Sequence, residues 1–369
     1  MNSTYPFNTP SLKKILVIQT ASIGDVILAT PILEKLHRFY PEAAIDLLVK
    51  KGNESLFDGH PFLHEVLVWD KSKRKFRNLD ALAHRIWRNK YDLVVNVQRF
   101  ASTGLLTAFS GAKMRIGFDK NPFSFFYTKK IKHQIGSGIH EVERNLELVK
   151  ELTDGTYAGP RLYPKDPTPD PSTEGEGSNI LPSPTGRGAG GEGHLRPGGE
   201  VDSGTGGRGG KFTISPASLW FTKQYPMERW AELIRQMPKE ATVCLLGSKS
   251  DNALCEEIIR LAGHPGVVSL AGKLSFLESA ALMKQAKMNF TNDSAPMHLA
   301  SAVDAPVTVV YCSTVPGFGF GPLSSDACVV EIEKPLYCRP CGLHGLKVCP
   351  EGHFRCALEI PLNRLTARL

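Results

Sequence analysis

The sequence predicts an α/β protein in which two Rossmann-like domains, each on a doubly wound parallel sheet, face each other across a cleft. Three observations carry this. Short apolar runs rich in Val, Ile and Leu alternate with amphipathic stretches in both halves of the chain, the order of parallel strands joined by helices. At 369 residues the chain is too long for one ordinary core and suits two. Between the halves, residues 165–210 hold 14 Gly and 6 Pro and no aromatic residue, too little apolar surface to offset the entropy of ordering. That tract is read as a disordered, dispensable insert spanning 164–211, between an N-terminal domain over 1–163 and a C-terminal domain over 212–369.

In chain order, the apolar run at 14–19 is the first strand. A helix over 25–40 follows, with Val26, Ile27, Leu33, Leu36 and Phe39 near helical spacing and Pro31 implying a kink or a short first turn. AIDLLVK (44–50) alternates as a strand, 53–58 is a short helix, and EVLVWD (65–70) is a strand. A basic helix spans 76–89, LVVNVQ (93–98) is a strand, and GIHEVERNLELVKEL (138–152) is helical. The second half reads as strands at 212–215, 242–247, 267–270, 288–291 and 307–311, with helices at 226–237, 251–262, 275–286 and 296–303. In open sheets of this kind ligands bind beyond the carboxyl ends of the strands, so the loops that follow strands carry the chemistry.

A content of 41% hydrophobic and 22% charged residues is that of a soluble globular protein. No stretch approaches 18 consecutive apolar residues and the first residues lack a charged-then-apolar leader, so the expected compartment is the cytosol. Net charge is +7, and because residues 165–210 carry four basic and seven acidic side chains, the remainder stands at +10. Such a surface favours anionic partners: nucleic acid, phosphorylated metabolites or the cytoplasmic face of a membrane. The basic residues Lys71, Lys73, Arg74, Lys75, Arg77, Arg85, Arg88 and Arg99 concentrate in the first half.

Three loops that follow strands stand out. In TASIGDVILATP (20–31), Gly24 permits a close approach and Asp25 falls in the first turn of a helix. In SPASLWFTKQYPMERW (215–230), Ala217 and Ser218 leave amides accessible and Lys223 supplies a point charge for a diphosphate. In FTNDSAPMHLASA (290–302), Asp293 and Ser294 precede Pro296 at the start of a helix, an anion site by construction. Taken singly, each has an ordinary structural explanation: a helix cap, a solvated lysine, a histidine satisfied within its loop. A dinucleotide-dependent oxidoreductase is disfavoured, because no G-x-G-x-x-G follows the first strand of either half. A nucleic-acid module resting on the basic surface alone predicts salt-sensitive binding that is indifferent to Asp25.

Taken together, ILVIQTASIGDVILATPIL, TKQYPMERW and NDSAPMHLASAV, with HEVERNLEL (140–148), the Arg115 to Phe118 stretch and the tail CRPCGLHGLKVCPEGHFRCALEI (338–360), resemble glycosyltransferase family 9, the heptosyltransferases of the lipopolysaccharide inner core. The tail is most similar to the heptosyltransferase II branch. The resemblance implies the glycosyltransferase B fold and inverting, metal-independent transfer of heptose from ADP-heptose to a lipid-linked core oligosaccharide. It also implies a monomer with peripheral contact at the inner membrane, no nucleic-acid partner and no cofactor required for catalysis. Carried onto this chain, Asp25 is the general base and Lys223 the catalytic cation beside the leaving diphosphate. Ser218, Lys223, Asp293, Ser294, Ala295, Met297 and His298 contact the nucleotide sugar, and Glu256 or Glu257 is a weaker candidate for the ribose. Gly24, Arg99 and Arg115 contact the acceptor. Ala295 stands where the family commonly has glycine, which leaves another ADP- or UDP-linked donor open.

Eight cysteines in a chain read as cytosolic argue against a disulfide framework. Cys338, Cys341, Cys349 and Cys356 offer four thiolates to a structural zinc, but with one close pair where a zinc ribbon has two. Structural zinc and reduced packed thiols both stand as readings, and either way the tail is expected to fasten the chain's end across the domain junction.

Overall fold

The computed structural model describes residues 11–72, 75–136, 138–165 and 209–369. The expected insert falls almost entirely outside the described residues, as do Lys73 and Arg74.

In chain order, the first half contains β1 (Lys14–Ile18), α1 (Ile23–Ile27), α2 (Thr30–Phe39), β2 (Ala44–Lys50), β3 (Leu63–Trp69), α3 (Lys75–Asn89), β4 (Leu93–Asn96), α4 (Ala101–Ala108), β5 (Met114–Phe118), β6 (Lys129–Ile131) and α5 (Glu141–Leu146). The second contains β7 (Lys211–Ser215), α6 (Met227–Arg235), β8 (Thr242–Leu245), α7 (Asn252–Ala262), β9 (Val267–Ser269), α8 (Phe276–Gln285), β10 (Met288–Asn292), α9 (Ala295–Ala302), β11 (Val307–Tyr311), β12 (Ala327–Glu331), α10 (Arg355–Leu358) and α11 (Asn363–Thr366). Each half forms one six-stranded sheet, ordered β3-β2-β1-β4-β5-β6 and β12-β11-β10-β7-β8-β9, and every pairing is parallel. Strand order reverses beside β1 in one sheet and beside β7 in the other, so the loops leaving these two strands sit at the crevices where such sheets bind ligands.

The central strands are buried on both faces: Ile15, Leu16, Val17 and Ile18 of β1 are fully enclosed, as are Phe212 and Ile214 of β7. One hydrophobic cluster is shared between the halves, with Val26 and Ile27 of α1 joined to Met297 and Ala300 of α9, and α1 packs on α9. The contact between the sheets is therefore cored with apolar side chains.

Several sequence expectations need correction. The helix expected over 25–40 is two, broken at Leu28 and Ala29: Pro31 has no N–H to give, and the Thr30 hydroxyl donates to the Ile27 carbonyl (2.7 Å) instead. The helix at 53–58 is a single 3₁₀ turn, Glu54–Phe57. The helix at 138–152 is regular only over Glu141–Leu146, with turns beyond it. The elements α4, β6 and β12 were not expected, nor was the strand that holds Arg115.

Candidate active site

Asp25 reaches the cleft through a local device. Ser22 caps α1 in extended conformation, its hydroxyl and backbone N–H both donating to Asp25 Oδ2 (2.5 and 3.1 Å). This reciprocal capping box fixes the carboxylate in the first turn. The loop before it is tied down as well: Lys71 donates to the carbonyl and hydroxyl oxygens of Thr20 (2.8 and 3.1 Å). The Lys71 cation thus has a structural task beside Asp25.

Across the cleft, Lys223 ends the 3₁₀ turn Phe221–Lys223. Its ammonium pairs with Asp293 Oδ2 at 2.7 Å, with side chains 14% and 10% exposed, and the Thr314 hydroxyl donates to the same oxygen (2.6 Å). Asn292, at the end of β10, clamps both loops: its Oδ1 accepts from the Tyr225 N–H (2.9 Å) and its Nδ2 donates to the Pro216 carbonyl (2.7 Å). The C-terminal tail completes the support. Leu346 N–H and the Ser313 hydroxyl donate to Thr222 Oγ1 (2.7 and 3.0 Å), and Phe354 stacks on Phe221 at 5.0 Å. Contrary to the sequence expectation, the tail fastens onto the Lys223 turn and the core of the second sheet, where Ala357, Ile360 and Leu365 are buried.

At α9, Ser294 is an N-cap whose hydroxyl does not cap the helix but donates to the Asn292 carbonyl (3.4 Å). Pro296 has no N–H and that of Met297 is spent on the Ser294 carbonyl (3.1 Å), so the amides of Ser294 and Ala295 are the ones placed to meet an anion. His298 is buried, its Nδ1 has no partner among the described residues, and burial, against the pull of Asp293, pushes its pKa down to about 4. It is a neutral imidazole at physiological pH. A Cβ placed on Gly24 comes within 2.7 Å of His298 Cδ2, so α1 packs against α9 only because this position carries no side chain.

These groups share one cavity of about 1050 Å³ lined from both sheets, by Gly24, Asp25, Ser218, Lys223, Asp293, Ser294, Ala295 and His298 among others. Not every sequence candidate is there. Met297 is fully buried and does not line the cavity. Glu256 is exposed on α7, outside the lining, because it lies beyond the first turn of the helix that enters the cleft. The loop ahead of α7 contributes instead, with Ser248 donating to Asp251 Oδ2 from its N–H (2.8 Å) and hydroxyl (2.7 Å). The Ser-x-x-Asp spacing at 248–251 was a readable signal for it. Arg115 turns away: its Nε donates to the Phe126 carbonyl (3.0 Å) and its guanidinium also holds the Ala112 carbonyl. Arg99 stays exposed outside the lining.

A second junction joins the halves. The Glu141 N–H donates to the Gly319 carbonyl (2.7 Å), His140 bonds the Gly321 carbonyl (3.1 Å), and Arg144, paired with Glu141, lies over the Phe320 ring. The tail cysteines line a separate cavity of about 290 Å³. Among the described residues, no three His, Cys, Asp or Glu side chains are placed to hold a metal ion.

Two outcomes follow from the α1–α9 contact. Gly24→Ala is expected to destabilise the fold by about 1–3 kcal/mol, the usual cost of overpacking, because buried His298 has little room to retreat; the midpoint of urea unfolding reads this. The depressed His298 pKa means that the unfolded chain binds a proton the native one refuses. Stability is therefore expected to fall as pH drops from about 6.5 towards 4, by up to about 3 kcal/mol from this residue. His60 and His133, also held near 4 by burial, add to the slope, and His298→Asn should remove only its own share in denaturation at stepped pH.

Comparison with known proteins agrees with this architecture. The family model described as glycosyltransferase family 9 (heptosyltransferase) matches residues 79–343. Lipopolysaccharide heptosyltransferase 3 of Escherichia coli is 26% identical over 307 residues, covering 79% of this chain and 81% of that protein. Lipopolysaccharide heptosyltransferase 2 of Escherichia coli strain K12 is 24% identical over 382 residues, covering 96% and 97%. The solved structure of E. coli ADP-heptose lps heptosyltransferase II superposes with a TM-score of 0.70 at 19% identity, covering 96% and 97% of the two chains, and shows the shared glycosyltransferase B fold. The chain belongs to glycosyltransferase family 9, the heptosyltransferase family, and is a glycosyltransferase.

Proposed function

We propose that the protein transfers heptose from ADP-heptose to a lipid-linked inner-core acceptor of lipopolysaccharide, with inversion and without a catalytic metal. The observation that supports this best is the meeting, in one cavity, of a carboxylate from the first sheet with a half-buried lysine and an open helix start from the second.

In this reading the diphosphate of the donor lies between Lys223 and the amides of Ser294 and Ala295, and the acceptor hydroxyl approaches from the Asp25 side. Asp25 takes the hydroxyl proton as the new bond to the anomeric carbon forms, and the leaving diphosphate departs from the opposite face, which inverts that carbon. Lys223 and the helix amides supply the positive charge that a cation would otherwise bring to the departing oxygen. Asp293 holds Lys223 in place through their ion pair. Ser218, whose carbonyl accepts from Gln224 (2.7 Å), lines the diphosphate side. Neutral His298 offers a hydrogen bond to the donor sugar at no cost in charge. The tail cysteines are read as reduced packed thiols: burial raises the pKa of Cys341 and pushes that of Cys356 up to about 11.

The protein is read as acting as a monomer on the cytoplasmic face of the membrane; among the described residues no helix is long and apolar enough to cross one. The test is a panel of ADP-, UDP- and GDP-linked sugars in thermal-shift assays, followed by turnover with a soluble truncated core acceptor. ADP-heptose is expected to stabilise most and to be turned over with an inverted product. Preference for a UDP-linked sugar would overturn the donor assignment and trace to the Ala295 methyl in the lining.

A further inference from the structure

The crossover from β5 to β6, together with the ends of α3 and α4, presents aromatic rings that face water. Phe125 is 68% exposed, Phe126 42%, Phe109 58% and Trp87 61%. They are neighbours: Phe126 stands 4.4 Å from Phe125 and 6.1 Å from Phe109, and the Trp87 indole lies over the Gly111 turn just past Phe109. Phe100, also exposed, extends the strip towards the carboxyl end of β4, its carbonyl held by the Asn121 side chain (3.0 Å). The patch thus joins the end of α3, the end of α4 and the β5–β6 crossover. Arg115 bonds the carbonyls of Phe126 and Ala112 and so fixes the aromatic loop to the sheet. A contiguous exposed apolar surface on a soluble fold marks an interaction site.

Charge identifies the partner. From Arg85 to Lys132 the chain carries ten basic side chains and two acidic ones. Both carboxylates are occupied, Asp92 by the Lys13 N–H (2.9 Å) and, more loosely, by the largely exposed Lys113 ammonium (3.9 Å), and Asp119 by the His133 N–H (3.0 Å). Arg88, Lys90, Lys113 and Lys120 are exposed on the same segments that carry the rings, α3 and the connections into and out of β5. Aromatic side chains framed by Lys and Arg match an anionic lipid interface, where rings enter the headgroup layer and cations meet phosphate. A second copy of the chain fits poorly, since two-fold pairing would set these cations against each other.

We propose that this strip seats the protein on an anionic phospholipid leaflet, with Trp87, Phe109, Phe125 and Phe126 in the headgroup layer and Arg88, Lys90, Lys113 and Lys120 on lipid phosphates. Its purpose rests on the reading that the acceptor is lipid-linked; its test does not. The full chain is floated with vesicles of phosphatidylcholine containing phosphatidylglycerol and, separately, of phosphatidylcholine alone. Binding to the anionic vesicles alone is expected, weakened by added salt, and reduced about tenfold or more in the Trp87→Ser, Phe125→Ser double variant. Lys113→Glu with Lys120→Glu is expected to lose the preference for anionic lipid. Both variants should keep wild-type turnover of a soluble acceptor, which shows that they fold. Equal flotation of the aromatic variant and wild type, no flotation of wild type, or a wild-type dimer split by the aromatic substitutions would each overturn the proposal. None of these bears on transfer to a soluble acceptor, so the two readings fail separately.

Discussion

Asp25→Asn is expected to lower turnover by a factor of order 10² to 10⁴ while leaving ADP affinity and thermal stability close to wild type. The asymmetry comes from the geometry around α1. Asparagine keeps an oxygen where Ser22 donates its N–H (3.1 Å) and hydroxyl (2.5 Å), so the cap survives. What is lost is the ability to take a proton. ADP is read as binding to the opposite sheet, at Lys223 and α9, and does not sense the change. Steady-state transfer alongside calorimetric titration with ADP separates the two effects. Turnover within a few-fold of wild type would place the base elsewhere; Glu141 is a poor substitute, being held in an ion pair with Arg144 and raised in pKa by burial.

Lys223→Ala should show the reverse split: ADP affinity falling about 10- to 100-fold, the scale of one charged hydrogen bond, together with a loss of stability. The stability term arises because Asp293 is left as a nearly buried carboxylate with only Thr314 to satisfy it, and breaking such a pair from one side costs about 3–5 kcal/mol. A double variant distinguishes the causes. Lys223→Met with Asp293→Asn removes both charges and is expected to recover most of the stability, read by urea denaturation, but none of the ADP affinity. Recovery of both would mean that Lys223 acts only on the fold.

Much of this arrangement was legible in the sequence, and what was not has a physical reason. The strands at 44–50 and 307–311 coincide with β2 and β11, because β-branched apolar runs between turns report directly on burial. Asp25, Lys223 and the 293–298 loop were each ambiguous alone; their order at strand ends singled them out, and the structure brings them to one cavity. Residues whose task is set by contacts distant in sequence stayed hidden. Lys71 holds Thr20 across 51 positions, Asn292 holds Tyr225 across 67, and Thr222 meets Leu346 across 124, and none leaves a periodic trace. Short edge strands such as β6, with only three residues and partial burial, are beneath the threshold of pattern. Glu256 was misplaced because helix length, which carries it away from the cleft, weighs less in a motif than residue type. The aromatic crossover at 123–126 left no mark in the sequence pattern, although Phe125 is 68% exposed.

The most direct measurement is a crystal structure with an unreactive analogue of ADP-heptose. The account predicts the diphosphate within hydrogen-bonding distance of Lys223 Nζ and the α9 amides, with the anomeric carbon turned towards the Asp25 carboxylate. A diphosphate bound elsewhere, or an anomeric carbon that only side chains of the second sheet can reach, would contradict it.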